Sequence, residues 1–282
     1  MNRRRVLAGF GVGVAVGIAG CSGDGDGDGG SGGALDSGPD RPFDEAEWRD
    51  GDGLALEVLA ETHVEAFVEA GGFTLFSTAE TSHDGDAEPT PWFPSQTYES
   101  GYDLENGRQY VKQEMTETEE PNVTELYVAG DELLFRRRAD GETQYDRQSV
   151  DRSEADLEDA MRQEAMTGIR VGSETAAGET EYEGLNRWNA TSDGEGQVRD
   201  EPTARFTADE FDGDRNIPET VETASATAHV YESGVVPRLE QSWTGEHDGQ
   251  QATVDVDIDY RDPGAEIPEP DWADDAREAT SE

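Results

Sequence analysis

Residues 54–75 read LALEVLAETHVEAFVEA-GG-FTL, and the chain changes its hydrophobic period inside this stretch. Leu56, Leu59, His63, Ala66, Phe67 and Ala70 recur at helical spacing, and Gly71-Gly72 is a C-cap signal. From Phe73 the period becomes two, with Phe73, Leu75 and Ser77 alternating with polar neighbours. One long helix therefore leads directly into a strand. Downstream, a breaker-rich loop spans 83–94, and Tyr98, Ser100, Tyr102 and Leu104 then alternate up to Asn106-Gly107, a hairpin signal with a return strand at 109–115. Further strands fit 123–129, 132–139 and 142–148. A short helix fits 153–166, with Ser153 as N-cap and Leu157, Ala160 and Met161 facing inward. Strand-like text returns at 182–192, 203–208, 223–232, 235–244 and 251–260. In the last of these Val254, Val256 and Ile258 oppose Asp255, Asp257 and Asp259, so one face is apolar and the other is in solvent. An extended segment from Ile267 to Trp272 closes the domain. The expected fold class is α+β: a strongly curved antiparallel sheet, unclosed and barrel-like, packed on one long and one short helix. The expected single domain covers 48–272, followed by a loose acidic tail at 273–282.

The 282-residue chain carries 66 Asp and Glu against 21 Lys and Arg, a formal charge of −45, and 33% hydrophobic residues. So little basic charge excludes nucleic acid as a partner, since phosphate binding needs a basic face. Disorder fails on distribution, because the acids are interleaved with Val, Leu, Phe, Tyr and Trp rather than gathered in blocks. Lys112 is the only lysine. High acid with almost no lysine resembles the proteins of salt-loving archaea. At 1 M salt the Debye length is about 3 Å, so distant carboxylates stop repelling one another.

The N-terminus reads as an address. Arg3, Arg4, Arg5, Val6 and Leu7 precede a small-residue apolar run that ends Ile18-Ala19-Gly20-Cys21. A basic start, an apolar stretch and small residues before a cut site make a signal peptide over 1–20, too short and too rich in glycine for a comfortable span. Asn2-Arg3-Arg4-Arg5-Val6-Leu7 resembles the twin-arginine export signal, in which Arg3, Arg4, Val6 and Leu7 carry the pattern. Ile18, Ala19, Gly20 and Cys21 resemble the lipobox, in which the cysteine takes a thioether lipid and becomes the new N-terminus. Cys21 is the only cysteine, so no internal disulfide competes for it. Residues 21–47 then comprise the lipidated Cys21 and a Gly/Asp/Ser tether. The expected location is the extracytoplasmic face of the cell membrane, held by lipid on Cys21.

The order helix, meander, short helix, second meander over roughly 54–272, with hairpin text such as HVYESGVVPRLE at 229–240, resembles the Lol-type lipoprotein carriers and the related lipid-binding envelope lipoproteins of mycobacteria. The early helix with Leu59, His63 and Phe67 leading into Phe73-Thr74 is similar to uncharacterised secreted lipoproteins of haloarchaea. The resemblance implies an unclosed barrel wrapped round helices, with an apolar cavity that takes a lipid or another apolar ligand.

Reaction chemistry is sparse. His63, His83, His229 and His247 form no i, i+4 pair, so no metal site and no cofactor is expected. His63 sits on the apolar helix face, the usual place of a core histidine. Asp24 to Gly29 matches the start of an EF-hand loop, but Leu35 stands where the bidentate Glu belongs. No catalytic constellation appears, so a non-enzymatic role is expected. The leading reading is a binder of an apolar or amphiphilic ligand in a cavity lined by Phe73, Leu75, Tyr98, Tyr102 and Leu104. The alternatives are a structural or adaptor surface lipoprotein with a filled core, and a surface hydrolase. Arg136-Arg137-Arg138 is the one basic cluster downstream of the signal, with Arg137 on the face of Leu133 and Phe135. Asn122 and Asn189 open glycosylation sequons. The charge predicts that the domain loses compactness below about 1 M salt. Circular dichroism and tryptophan fluorescence across a KCl series check this, and a native fold in dilute buffer would refute it.

Overall fold

The computed structural model describes residue 43 and residues 45–83, 94–116, 121–169, 171–174, 180–212, 220–247 and 249–279. The export signal, the lipobox with Cys21 and most of the tether lie outside the described residues. The elements are β1 (Arg49–Asp50), β2 (Gly53–Leu54), α1 (Leu56–Ala70), β3 (Gly72–His83), β4 (Gln96–Asp103), β5 (Arg108–Met115), β6 (Asn122–Ala129), β7 (Glu132–Ala139) and β8 (Glu142–Ser149). They continue with α2 (Glu154–Ala165), β9 (Val171–Glu174), β10 (Thr180–Glu183), a 3₁₀ turn Leu185–Arg187, β11 (Thr191–Val198), β12 (Glu201–Ala208), β13 (Thr220–Val230), β14 (Arg238–His247), β15 (Gln250–Arg261) and α3 (Ala273–Ala279).

The helix-to-strand switch occurs where the periodicity places it. Gly71 takes the left-handed conformation at φ 82°, and its N–H returns to the Phe67 and Val68 carbonyls. At Gly72 a Cβ would lie 2.1 Å from the Tyr102 carbonyl oxygen, so only glycine lets β3 start this close to the end of β4. Ser153 caps α2 reciprocally with Asp156, a capping box.

One 11-stranded antiparallel sheet carries the domain, in the order β11-β12-β13-β14-β15-β3-β4-β5-β6-β7-β8. It is curved and unclosed, with β11 and β8 as its edges. Two consecutive meanders, β3–β8 and β11–β15, join along β15 and β3, which pair from Ala252↔His83 to Arg261↔Thr74. The register sorts side chains onto two faces. On the inner face, Leu59, Val64 and Phe67 of α1 and Leu157, Met161 and Ala165 of α2 form one buried cluster with Phe73, Leu75, Phe206, Leu239, Ile258 and Tyr260. The outer face of β15 carries Asp255, Asp257 and Asp259, and Asp257 and Asp259 pair with Arg238, Arg199 and Arg261.

Three expectations are corrected. The folded part reaches back beyond Trp48, because Phe43 is buried in the main cluster. The strand expected at 182–192 is instead β10, the 3₁₀ turn, and a bridge from Trp188 to Phe211 before β11. β11 has little apolar alternation to reveal it, since TSDGEGQV lies at a solvated sheet edge. Third, 273–279 is the helix α3 rather than a loose tail. Its Ala273 and Ala276 are buried with Ile267 and Trp272 on Tyr127 and Leu134, on the outer face of β6 and β7. Buried Glu125 anchors this strap, accepting from Tyr110 Oη at 2.8 Å, from Trp272 Nε1 at 3.1 Å and from Arg136. Arg277 adds bonds to Glu132 and Glu269.

His63 is fully buried between α1 and the turn before β14. Its Nδ1 accepts the Val236 N–H at 3.0 Å, so the ring proton sits on Nε2, which faces the Ala165 carbonyl without meeting hydrogen-bond geometry. Burial holds the imidazole down to about 3 from 6.5. The unfolded chain therefore binds the extra proton between those values, and this residue's contribution is intact above about pH 6.5 and lost as pH falls. From about pH 6.5 to pH 4.5 the loss is about 2–3 kcal/mol. Denaturant unfolding in high salt, comparing the chain with His63→Asn, checks this: the variant lacks that component of the acid slope, and equal slopes would refute it.

Candidate functional site

The inner face of β5, β6 and β7 lies outside the three buried clusters. The ladder register aligns its side chains in rows that start on β4. One row runs Ser100, Val111, Leu126, Phe135, and the next runs Tyr102, Gln109, Val128, Leu133. A third runs Tyr98, Gln113, Thr124, Arg137. Val111 and Val128 are buried, while Leu126, Leu133 and Phe135 are half-buried. No Asp or Glu occupies an inner position on these three strands, in a chain with 66 of them. The outer positions carry Glu114, Glu125 and Glu132. Acids have been kept off a face that is only partly covered.

Polar groups border the apolar rows. From α2, Glu164 Oε1 accepts from Ser100 Oγ at 3.1 Å, and the Tyr98 hydroxyl is its second donor. Burial raises the Glu164 carboxyl above its ordinary value. Burial, and next the Glu164 charge, push the Tyr98 and Tyr102 hydroxyls well up, so both stay neutral. Gln109 donates to Tyr102 Oη at 2.9 Å and accepts from Arg152 at 2.6 Å, while Gln113 donates to Gln96 at 2.7 Å. The result is an apolar stripe between two hydrogen-bonding borders.

The residues expected to line a cavity are placed differently. Phe73, Leu75 and Tyr102 are buried in the main core, with Tyr98 and Leu104 packed against it. The Phe73 ring stands 4.5 Å from Phe67 and 5.7 Å from Tyr102, so the space between them is filled. They line neither of two open cavities on the described residues. One, of about 440 Å³, is bordered by Thr78, Glu80, Glu240, Asp255 and Asp257 on the outer face. The other, of about 670 Å³, is bordered by Arg187, Asn189, Glu210, Phe211 and Glu222. Both are acid-lined and poor hosts for an apolar chain.

The basic cluster splits as strand alternation requires. Arg136 pairs with Glu125 and lies 5.4 Å over the Trp272 ring, Arg138 is exposed, and Arg137 joins the inner rows. His229 bonds Thr203 Oγ1 through Nδ1 at 3.0 Å on the outer face. His83 closes β3 and His247 closes β14. Among the described residues no group of three His, Cys, Asp or Glu is placed to hold a metal. Asn122 opens β6 half-buried, and Asn189 is exposed ahead of β11. Sequence reasoning passed over Val111, Leu126 and Val128. The available signal was the run of acid-free alternate positions through 109–115, 122–128 and 133–139.

No family model matches the chain, and no curated protein matches it. Among solved structures it is similar to the Mycobacterium tuberculosis lipoprotein LppX, at 11% identity over 76% of this chain and 97% of that one, with a TM-score of 0.36. It is also similar to a LolA superfamily protein from Nitrosomonas europaea, at 12% identity over 76% and 94%, TM-score 0.23. A putative outer membrane lipoprotein-sorting protein domain from Vibrio parahaemolyticus matches at 8% identity over 77% and 98%, TM-score 0.21.

Proposed function

We propose that this chain is a non-enzymatic lipoprotein of a halophile, exported and held at the extracytoplasmic membrane face by lipid on Cys21, that binds an apolar or amphiphilic ligand. The ligand site is the inner face of β5–β7, not the Phe73–Tyr102 core. One observation carries the reading: the row Val111, Leu126, Phe135, buried at Val111 and half-buried at the other two, lies where the inner positions of β5, β6 and β7 carry no Asp or Glu, in a chain of charge −45. Ordinary solvent-facing strands of this protein carry acids, as β15 does at Asp255, Asp257 and Asp259. A second reading, a structural or adaptor lipoprotein without a ligand, is favoured by the filled core around Phe73, Tyr102 and Tyr260.

Titration of the purified chain in high salt with the neutral fluorophore N-phenyl-1-naphthylamine separates the two. A carboxylate in an apolar groove costs several kcal/mol, so Phe135→Asp should weaken binding at least about tenfold. Thr78→Asp, on the outer face, should leave it unchanged. Equal binding by both variants would remove the site from this face. The anchor has its own measurement: Cys21→Ala should move the protein from membrane to medium, and unchanged membrane retention would refute lipidation.

A further inference from the structure

We propose that Glu164 is the polar anchor of the inner-face groove, and that seating a neutral amphiphile beside it takes one proton from solvent onto its carboxyl. This rests on the groove reading above and adds the class of ligand head and the linkage. The geometry begins with what surrounds the carboxyl. Its hydrogen bonds come from neutral hydroxyls, Ser100 at 3.1 Å and Tyr98, and no cation among the described residues pairs with it. Ser100 heads the row that continues through Val111, Leu126 and Phe135, so the carboxyl stands at the end of the apolar stripe. A carboxylate there faces apolar neighbours without a counter-charge, an arrangement that favours the neutral acid.

On β4, Glu99 and Asp103 alternate to the face opposite Ser100, and Asp103 is taken up by Asn106 and the Ile267 N–H. On α2, Arg162 is engaged by Glu65 and Glu158, Asp156 caps the helix, and Arg152 bonds Gln109. His63 of α1 is neutral at any pH well above 3, and Tyr98, Tyr102 and Tyr260 are pushed upward by burial. On the inner face of β7, Arg137 is a permanent cation. Glu164 is thus the group at the end of the stripe on which added burial would act, its carboxyl already held above the ordinary carboxylate value by desolvation. A ligand chain laid along Val111, Leu126 and Phe135 would bury the carboxyl more deeply. It raises that pKa further, so protonation and binding favour each other. The protonated carboxyl donates to a ligand oxygen, which suits an alcohol, ester or other neutral head and disfavours an anionic one.

The test is binding of N-phenyl-1-naphthylamine, followed from about pH 5 to about pH 9 in high salt, by the chain and by Glu164→Gln, with calorimetry in two buffers of different ionisation enthalpy. Expected is an affinity that rises on acidification by up to about tenfold per pH unit, with uptake approaching one proton. Glu164→Gln should bind at the acid-limit affinity with no such slope. Calorimetry on the unaltered chain decides the matter alone should the variant not fold. Binding without pH dependence or proton uptake, or a slope that survives in Glu164→Gln, would overturn the linkage and leave the groove standing. Absence of binding at every pH would overturn the groove itself, and the linkage with it.

Discussion

Tyr260 stands where the fold is tied together. Its ring packs against His63 and Phe67 of α1 at 4.6 and 5.7 Å between centroids, and against Phe73 of β3 at 5.8 Å. Its hydroxyl donates to the Thr167 carbonyl at 2.6 Å, with the Ala165 carbonyl also within reach at 3.0 Å, at the C-terminal end of α2. One side chain on β15 therefore meets both long helices and the opposite meander. Burying each such aromatic side chain contributes about 2–3 kcal/mol, and the ring contacts add about 1 kcal/mol more. Without the β15–β3 seam, the two meanders would each present an uncovered apolar face and the helices would have no common floor. Phe73, Leu75, Ile258 and Tyr260 of the buried cluster lie on the two strands of this seam.

That inner core has to carry the stability, because the outer surface cannot. The pairs of Arg238 with Asp257 and of Arg205 with Asp193 are substantially exposed, and such pairs contribute about 0–1 kcal/mol each, less in brine. The acids outnumber their partners and are tolerated only because alternation points them away from the core. Glu125 is the exception, a buried carboxylate whose oxygens are taken by Tyr110, Trp272 and Arg136. Removing any of these donors would leave a buried charge short of partners, the costly case. It fastens the C-terminal strap on the outer face, so β6 and β7 are covered by α3 there and carry the apolar rows on their other side.

The inner face divides into a filled core and a partly covered apolar stripe. Over β3, β4 and β12–β15 the inner face is occupied by α1 and α2, leaving no room beside Phe73 or Tyr102. Over β5–β7 the same face keeps apolar residues without joining that cluster, and Glu164 on α2 marks the boundary between the two zones.

Alternation alone was enough to read the long helix, the hairpins from Phe73 to Ser149 and the half-acidic strand at 251–260, since these depend on residues two to four positions apart. The Gly71 cap and the Ser153 cap were legible for the same local reason. β11 was not, because an edge strand of polar residues buries too little to leave a pattern. Nor was α3, whose two buried alanines matter only once Tyr127 and Leu134 are beneath them. Strand alternation puts Phe73 and Tyr102 on an apolar face, where core is the commoner fate and cavity lining the other, and only the approach of Phe67 and Tyr260 fills that space. The sequence by itself determined which side of each strand is acidic. The tertiary register decided which acid-free sides are packed and which are left only partly covered, because that depends on helices arriving from elsewhere in the chain.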